Sequence, residues 1–400
     1  MTGYMLGGVA TAVRDLLLGL CGNGHEVGLV NDVPYRGTAE LVRHFPLSRS
    51  TPELLAEATE EALKAFRPDI VHVVATGQRV LTSLSRVLRG RPWLVTVHSV
   101  PPFECIVKGL HGVDALHYKA RGLRFGLNAV GWKRLLRTGE VAHVVVHSEA
   151  MRATLLQYGQ PERKLSVIPL AYPGLLGRDA PSAMPPQRRR PTIVTVAGFA
   201  HTKGQHDALK AIHVLRTEYP ELEYRMTGEV RDRTYMRYLQ GLVRDLKLDQ
   251  SAAFGESVSD SDRDAWLQSA DLYVQPSHEE GFCLAFLEAA YRSPRLLGTA
   301  TGAMPEIASG DRTMSVVRPR DPTSMASAMS RLLRMPVPDS VELAARCKRL
   351  DGRYAMSQYV SGFEQLYERL IGTGATGDAR VRETRSRSSS GTGSDRPIQV

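Results

Sequence analysis

The sequence predicts an α/β protein of two doubly wound domains, each built on a parallel sheet covered by helices. Its 400 residues exceed the length of one ordinary domain. Short β-branched runs alternate with segments of helical period almost throughout, which is typical of parallel sheets buried on both faces. A stretch rich in Pro, Gly, Ser and Arg interrupts the alternation at 173–191, and this composition indicates a linker.

The first half, residues 1–172, is predicted to form one domain. Apolar residues recur at i, i+3 and i+4 in two segments and predict amphipathic helices, at 10–20 and 54–66. Continuous apolar runs predict four buried strands, at 70–74, 94–98, 143–147 and 165–168.

The alternation restarts after the linker and predicts a second domain over residues 192–355. Its strands are expected at 192–197, 223–227, 271–275, 295–298 and 314–317. Its helices are expected at 207–218, 232–247, 262–269 and 282–292. One more helical pattern occupies 356–371, and the tail 372–400 is rich in Gly, Ser, Thr and Arg without apolar periodicity, so we expect it to be disordered.

Composition excludes several classes of protein. A hydrophobic fraction of 42% with 23% charged residues is that of a globular chain. No apolar run approaches the ~18–20 residues of a membrane-spanning helix, and no secretory signal opens the chain. The four cysteines form no C-x-x-C pair, which argues against a disulfide framework or a structural zinc site. We therefore expect a protein of the reducing cytoplasm.

The net charge of +9 raises the question of an anionic partner. No interleaving of aromatic and basic residues accompanies the basic runs, so we expect no nucleic-acid partner. The basic stretch 108–137 leaves three interpretations open: peripheral contact with an anionic membrane at its inner face, contact with an anionic acceptor, or a solvated Arg-rich helix pair.

The segment 275–289 is the strongest chemical signal. Glu280 and Gly281 stand at a strand-to-helix junction, where glycine lets the backbone approach a ligand. The next residues are expected to offer the unpaired N–H groups of a helix N-terminus, favourable to phosphate: Phe282, Cys283 and Leu284. Glu288 lies up to ~12 Å further along the helix. This layout suits a diphosphate with hydroxyl groups at both ends, as in a nucleotide sugar.

The alternative for these carboxylates is that they are ordinary solvated helix residues. Glu288 argues against it, because it stands among Phe, Leu and Ala in an apolar helix, where a charge needs a partner. His98 follows an apolar run and is ambiguous from the sequence, because a lone histidine there is more often a core residue than a catalyst. His143 and His147 are assigned to packing, and His278 to a bystander role.

In this order along the chain, several motifs resemble those of the retaining GT-B glycosyltransferases of family four, the glycosyl transferases group 1. The pattern P-S-x-x-E-G-F-x-L-x-x-L-E-A occupies 276–289. The remaining matches are Gly7-Gly8, the G-H-E-V at 24–27, the H-S-E at 147–149, the I-P at 168–169, Lys203-Gly204 and the G-A-M-P-E-I at 302–307.

The resemblance implies two Rossmann-like domains that face an interdomain cleft, with helix 356–371 crossing back to the first domain. It implies that Gly7 and Gly8 lie against the donor phosphates. It assigns His98 and Glu280 to catalysis. Glu280 would hold hydroxyls of the donor sugar, Glu288 would hold those of the ribose, and Lys203 would neutralise the diphosphate. His98 resembles the histidine that faces the donor sugar from the acceptor domain.

The activity that the resemblance implies is hexosyl transfer with retention, from a nucleotide sugar that serves as co-substrate without a cofactor. We expect no D-x-D pair near the cleft, and we therefore expect Lys203 and backbone amides, not a metal ion, to stabilise the diphosphate. The acceptor stays open between a glycan, a lipid and a natural product.

The chain departs from the family pattern at three places. Met1 stands only six residues before Gly7, so we expect the usual first strand to be missing. A start placed too far downstream, a truncation or a poorly formed first half would explain this, and we favour the misplaced start. Gly198 occupies the position of the phosphate-binding Arg, and Lys203 alone, His201 or another Arg would then serve. Leu-Ala-Tyr follows Ile168-Pro169 where Asn-Gly is commoner.

Two alternatives to a glycosyltransferase are kept. The first is a non-catalytic or degenerate sugar-nucleotide-binding protein of the same fold, which the lost strand and the lost Arg would suit. The second is a sugar-nucleotide epimerase, for which a Glu pair at this spacing is not expected. A Rossmann dehydrogenase is excluded because no G-x-G-x-x-G follows a strand.

Overall fold

The computed structural model describes residues 8–47, 51–74, 78–98, 143–172, 190–256, 258–378 and 398–400. The chain folds as two compact units. The first combines Met1–Ala171 with Met356–Val400, and the second is Tyr172–Ala355. Gly7, most of the predicted linker and the basic stretch 108–137 lie outside the described residues. None of the described helices is both long enough and apolar enough to cross a lipid bilayer.

The first unit contains a parallel four-stranded sheet in the order β3-β4-β5-β6 and a parallel pair β1-β2. Its strands are β1 (Gly28–Asn31), β2 (Arg43–Pro46), β3 (Val71–Val74), β4 (Trp93–Thr96), β5 (Val144–Val146) and β6 (Leu165–Val167). Its helices are α1 (Gly8–Gly22), α2 (Pro52–Phe66), α3 (Gln78–Val87), α4 (Glu149–Gln157) and α12 (Met356–Asp378).

Residues 398–400 lie between β1 and β3. The N–H of Val400 donates to Glu26 O at 3.0 Å, and the N–H of Gly28 donates to Val400 O at 2.9 Å. On the other side, the N–H of Asp69 donates to Gln399 O at 2.8 Å. Three residues of the C-terminal segment thus connect the strand pair to the four-stranded sheet.

The prediction that residues 372–400 are disordered is therefore wrong at both ends of this segment. Helix α12 continues from Met356 to Asp378, and 398–400 pair with the sheet. Extending an existing helix costs far less than nucleating one, so a segment poor in helix formers can continue a helix whose first part is packed. Tyr367 shows that packing, since its hydroxyl lies 2.7 Å from His72 Nδ1.

The second unit has one parallel six-stranded sheet in the order β12-β11-β10-β7-β8-β9, the strand order of Rossmann folds. Its strands are β7 (Thr192–Val196), β8 (Glu223–Gly228), β9 (Ala252–Glu256), β10 (Leu272–Gln275), β11 (Leu296–Thr299) and β12 (Met314–Val317). Its helices are α5 (Gln205–Leu215), α6 (Arg233–Asp245), α7 (Asp260–Ser269), α8 (Leu284–Ala290), α9 (Met304–Ala308), α10 (Pro322–Arg334) and α11 (Ser340–Tyr354).

Local sequence explains why several of these helices begin where they do. Asp232 accepts hydrogen bonds from the N–H groups of Thr234 and Tyr235 and caps α6. Asp339 and Glu342 form a reciprocal capping box at the start of α11. The central strands β7 and β10 are almost wholly buried, as expected of a parallel sheet that helices cover on both faces.

The strand order changes direction between β7 and β10. In doubly wound sheets such a switch point opens a crevice beyond the carboxyl ends of the strands, and ligands bind there. The loops that follow β7 and β10 carry Lys203 and Glu280, so the fold places these two predicted site residues at the switch point.

Candidate donor site

Two loops at the switch point are locked against each other by backbone contacts. Gly204 has φ +67°, and a Cβ on it would lie 2.0 Å from Pro276 O, so only glycine fits. The N–H of His278 donates to Thr202 O at 2.8 Å. The turn that carries Lys203 is thereby fixed against the loop that carries Glu280.

Lys203 and Glu280 form an ion pair with 2.8 Å between Nζ and Oε1. The side chains are 21% and 10% exposed. Burial alone would lower the pKa of Lys203, but the charge of Glu280 and its hydrogen bond outweigh burial and raise the pKa above its ordinary value. Lys203 is therefore a cation at neutral pH.

Two polar side chains position Glu280. The hydroxyl of Ser277 donates to Glu280 Oε1 at 2.7 Å, and Gln275 Nε2 donates to Ser277 Oγ at 2.8 Å. Gln275 ends β10, so this chain of hydrogen bonds runs from the buried sheet to the carboxylate. Sequence reasoning did not identify the role of either residue.

Gly281, Phe282, Cys283 and Leu284 lie together with Glu280 in one loop, but the expected helix start at Phe282 is wrong. Helix α8 begins at Leu284, and Cys283 is its N-cap with φ +82°. A left-handed residue at this point turns the chain sharply, so the preceding residues leave the helical path. Burial also raises the pKa of the Cys283 thiol well above its usual range, which keeps the sulfur neutral.

Residues after β11 support the same loop from the other side. The N–H of Ala303 donates to Phe282 O at 2.9 Å. Gly302 has φ +55°, and a Cβ there would lie 2.8 Å from the Cβ of Glu280. The G-A-M-P-E-I motif thus backs the loop that carries the carboxylate.

Glu288 lies inside α8, is 8% exposed and has the partner that its apolar surroundings require. Arg263 on α7 places Nη2 at 2.9 Å from Glu288 Oε1. The pair explains how a carboxylate is tolerated beside Phe286 and Leu287, because a buried charge is stable only when it is paired. Arg263 was not identified from the sequence.

Arg231 lies against the position where the family's phosphate-binding Arg is missing. A Cβ built on Gly198 would lie 2.9 Å from Arg231 Nε. The Arg231 charge is also close enough to Lys203 to oppose its protonation slightly. Glycine at 198 therefore leaves room for a guanidinium that comes from the loop after β8 and also pairs with Glu229.

His98 belongs to the first unit, at the carboxyl end of β4. Its ring contacts that of His147 at a tilt of 42°, with 4.6 Å between centroids. Burial, together with the neighbouring His147 and His72, lowers the pKa of His98 well below its ordinary value, so the imidazole is neutral. Its Nε2 has no hydrogen-bond partner among the described residues. Gly8, also in this unit, is the exposed first residue of α1.

The other histidines that the sequence singled out make specific contacts. His147 Nδ1 donates to Ile168 O at 2.7 Å, and His143 Nε2 lies 2.8 Å from Ser166 Oγ. His278 has a more definite role than a bystander, because its Nε2 lies 2.7 Å from Asp207 Oδ2 in the buried part of the second unit. His201 and His206 lie beside it.

Two family models match the chain. Residues 6–173 match the model described as Glycosyltransferase Family 4, and residues 181–350 match Glycosyl transferases group 1. Each half of the chain is thus matched separately.

Curated relatives match at low identity. Glycogen synthase of Mycobacterium tuberculosis is 27% identical over 175 residues, which is 44% of this chain and 42% of that protein. An uncharacterised glycosyltransferase of Methanocaldococcus jannaschii is 23% identical over 353 residues, 82% of this chain and 86% of that protein. The match to the first of these relatives thus spans less than half of its length.

Solved structures resemble the whole chain. Sucrose-phosphate synthase from Thermosynechococcus elongatus has a TM-score of 0.70 at 19% identity, covering 92% of this chain and 94% of that one. Anabaena HepE, in complex with UDP and glucose, has a TM-score of 0.66 at 15% identity, covering 91% and 96%. At these identities the likeness establishes the shared fold, two Rossmann-like α/β domains.

Proposed function

This chain belongs to glycosyltransferase family four and has the GT-B fold, and we propose that it transfers a sugar from a nucleotide-sugar donor to an acceptor with retention of configuration. The observation that carries the proposal is the arrangement at the switch point of the second unit. There a protonated lysine is paired with the carboxylate of Glu280, and the second carboxylate, that of Glu288, lies eight residues further along the chain, inside α8. A nucleotide sugar presents the hydroxyls of its sugar, then a diphosphate, then the hydroxyls of its ribose, and these groups would meet Glu280, Lys203 and Glu288 in that order.

We assign the diphosphate to two cations, Lys203 and Arg231. A nucleoside diphosphate needs more positive charge than a helix end supplies, since that end is equivalent to only about half a unit charge. Helix α8 has only seven residues. The D-x-D pattern at 260–264 opens α7, where Asp262 accepts a hydrogen bond from the Ser259 hydroxyl and Asp264 pairs with Arg292. The proposal therefore gives no part in the transfer to a divalent ion. Adding Mg²⁺ to the chelator-treated protein is expected to leave kcat unchanged, and a rise of tenfold would contradict it.

We assign the hydroxyl groups of the donor to the two carboxylates. A carboxylate has two oxygens and accepts hydrogen bonds from neighbouring hydroxyls. Glu288, oriented by Arg263, would accept from the ribose. Glu280, oriented by Ser277, would accept from the sugar, and the ammonium of Lys203 would then be shared between Glu280 and the phosphate.

Retention is proposed to follow from attack on the face that the phosphate leaves. The bond between C1 and the phosphate oxygen breaks, the acceptor oxygen bonds to C1 from the same side, and the acceptor proton passes to the departing phosphate oxygen. Glu280 is held by Lys203 and Ser277, and we assign it to binding, not to attack on C1. NMR assignment of the product anomer tests this, and an inverted product would overturn retention.

The test of the function is a screen of UDP-, GDP- and ADP-linked sugars for binding and for release of the nucleotide. We expect one nucleotide class to bind, with affinity reduced in Glu288→Ala, and its sugar to be released slowly to water without an acceptor. The complex of Anabaena HepE with UDP supports beginning with uridine donors. If a nucleotide sugar binds but no nucleotide is released with any acceptor tried, the chain is a non-catalytic sugar-nucleotide-binding protein.

The acceptor side stays a prediction. His98, Gly7 and Gly8 keep the roles that the family resemblance implies. His98→Ala is expected to lower kcat at least tenfold while donor affinity is unchanged, because His98 lies outside the unit that carries the donor loops. Equal losses in donor affinity and in kcat would refute that role. Action in the cytoplasm and contact of 108–137 with an anionic membrane are likewise proposals.

A further inference from the structure

Three histidines from separate segments meet in the second unit. His201 lies in the turn after β7, His206 in the first turn of α5, and His278 in the loop after β10. One ligand-type atom of each lies within 4.8 Å of those of the other two. The ring of His206 is 4.6 Å from that of His201 and 5.1 Å from that of His278, between centroids.

The hydrogen bond of His278 determines which of its nitrogens is available as a ligand. Nε2 lies 2.7 Å from Asp207 Oδ2, and the ionised carboxylate can only accept, so Nε2 carries the proton. Nδ1 then holds a lone pair. His278 is 2% exposed, and Nδ1 has no hydrogen-bond partner among the described residues. A buried acceptor without a donor is costly unless a bound group satisfies it.

The network around His206 assigns its tautomer in the same way. Gln205 Nε2 donates to Gly198 O, so Gln205 Oε1 is free to accept the hydroxyl proton of Tyr235 at 3.2 Å. With its proton assigned to Gln205, the Tyr235 oxygen accepts from the backbone N–H of His206 at 3.2 Å, and we assign to it a second hydrogen bond from His206 Nδ1 at 2.8 Å. The lone pair of His206 is therefore on Nε2.

That lone pair faces a carboxylate. His206 Nε2 lies 3.6 Å from Asp207 Oδ1, beyond hydrogen-bond distance. A cation bound at His206 Nε2 would be attracted by the nearby carboxylate of Asp207.

We propose that His201, His206 and His278 bind one divalent transition-metal ion of the zinc type, with Asp207 orienting the ring of His278. Neutral imidazoles suit Zn²⁺, Co²⁺ and Ni²⁺, whereas Mg²⁺ and Ca²⁺ prefer oxygen. A carboxylate that holds the second nitrogen of a ligating histidine is the usual outer partner of such sites. At Zn–N distances of about 2.1 Å the nitrogens must approach to roughly 3.4 Å, so the rings move inward by about 1 Å.

The ion would tie together the two loops of the donor site without taking part in sugar transfer. His201 precedes Lys203 by two residues, and His278 precedes Glu280 by two. Holding the histidines together would fix the spacing of the lysine and the carboxylate. The site is thus a structural one and is compatible with metal-independent transfer.

Metal titration of the full chain tests the site without any substrate. The chelator-treated protein is titrated with ZnCl₂ by calorimetry and with CoCl₂ by visible absorption, where tetrahedral cobalt gives intense bands. We expect one equivalent to bind, and Zn²⁺ to raise Tm by several degrees. Absence of saturable binding at one equivalent overturns the proposal.

Variants locate the ion. His201→Gln and His278→Gln are expected to weaken Zn²⁺ binding at least ~100-fold and to abolish the cobalt bands. His201 is only half-buried, so its variant keeps the test valid if His278→Gln fails to fold. His213→Gln is the matched control, because His213 lies on the same helix as His206, bonded to Leu246 O, and its loss should change nothing.

Two more results separate this site from the donor site. Lys203→Met should bind Zn²⁺ with unchanged affinity, since the lysine is no ligand. Asp207→Asn should weaken binding about 10–100-fold, the usual cost of losing an outer partner. Wild-type affinity in both His201→Gln and His278→Gln would show that the metal binds elsewhere and would refute the assignment.

Discussion

The Lys203–Glu280 pair gives the sharpest test of the donor site, because the chain offers a matched pair on its surface. Lys64 and Glu60 lie 3.0 Å apart, against 2.8 Å for Lys203 and Glu280. The two pairs differ in burial: the surface side chains are 74% and 56% exposed, those of the site 21% and 10%. Lys→Met in each pair removes the same charge at nearly the same distance.

The cost of each substitution follows from that burial. Removing one partner of a fully buried pair costs roughly 3–5 kcal/mol, because the other charge is left uncompensated. Lys203 is partly exposed and Glu280 keeps its bond to Ser277, so we expect about 2–3 kcal/mol for Lys203→Met. An exposed pair contributes about 0–0.5 kcal/mol, and Lys64→Met should therefore be nearly neutral.

Urea unfolding of the full chain measures the difference. With a slope of roughly 1–3 kcal/mol per molar urea, Lys203→Met should lower the midpoint of the second unit by about 1 M, and Lys64→Met should leave the curve unchanged. Adding Glu280→Gln to Lys203→Met should restore more than half of the loss, because the stranded charge is gone. Equal midpoints for the two lysine variants, or no recovery in the double variant, would refute this account of the pair.

Three further predictions concern the surroundings of the site and the first unit. Gly302→Ala should lower the free energy of unfolding by about 2–3 kcal/mol and weaken donor binding, because the new Cβ would lie 2.8 Å from the Cβ of Glu280. Gly310 also has a left-handed backbone, but a Cβ there would meet nothing within 4 Å. Gly310→Ala should therefore cost only about 1 kcal/mol, and urea unfolding measures both variants. Burial lowers the pKa of His147 to about 4, so the unfolded chain binds a proton at this residue at a higher pH than the folded chain does. The contribution of His147 to the free energy of unfolding is therefore present above about pH 6.5 and falls by roughly 3 kcal/mol towards pH 4. His72 and His143 contribute in the same range, so His147→Gln should reduce the slope of stability against pH, and an unchanged slope counts against this. The carbonyl groups of Val400 and Gln399 accept hydrogen bonds from the amides of Gly28 and Asp69. Deleting residues 398–400 should therefore raise the hydrogen-exchange rates of these two amides, and unchanged rates would contradict the place of 398–400 in the sheet.

Periodicity and composition were sufficient for most of the second unit. The predicted strands at 192–197 and 271–275 became β7 and β10, the pair that flanks the switch point. Strand β9 was missed because Ala252–Glu256 contains no β-branched residue. It forms through its ladder with β8, a tertiary contact that no local pattern reports.

The partners of the site residues could not be read from the sequence for the same reason. Arg231 and Arg263 reach Gly198 and Glu288 from distant segments, and nothing in their own neighbourhoods marks them. The start of α8 was misplaced because a left-handed backbone at Cys283 is rare outside glycine. The motif at 276–289 nevertheless identified the loop correctly, since its glycine and its two carboxylates are recognisable without the fold.

Calorimetric titration with UDP, GDP and ADP, followed by their sugars, tests the central claim most directly, that the second unit holds a nucleotide-sugar donor. We expect one diphosphate to bind at one equivalent and Glu288→Gln to weaken it about 10–100-fold, as the loss of a charged hydrogen-bond acceptor costs about 1.5–3 kcal/mol. Lys64→Met should bind like the wild type. If none of the three nucleotides binds, or if Glu288→Gln binds as tightly as the wild type, the donor site is not where this account places it.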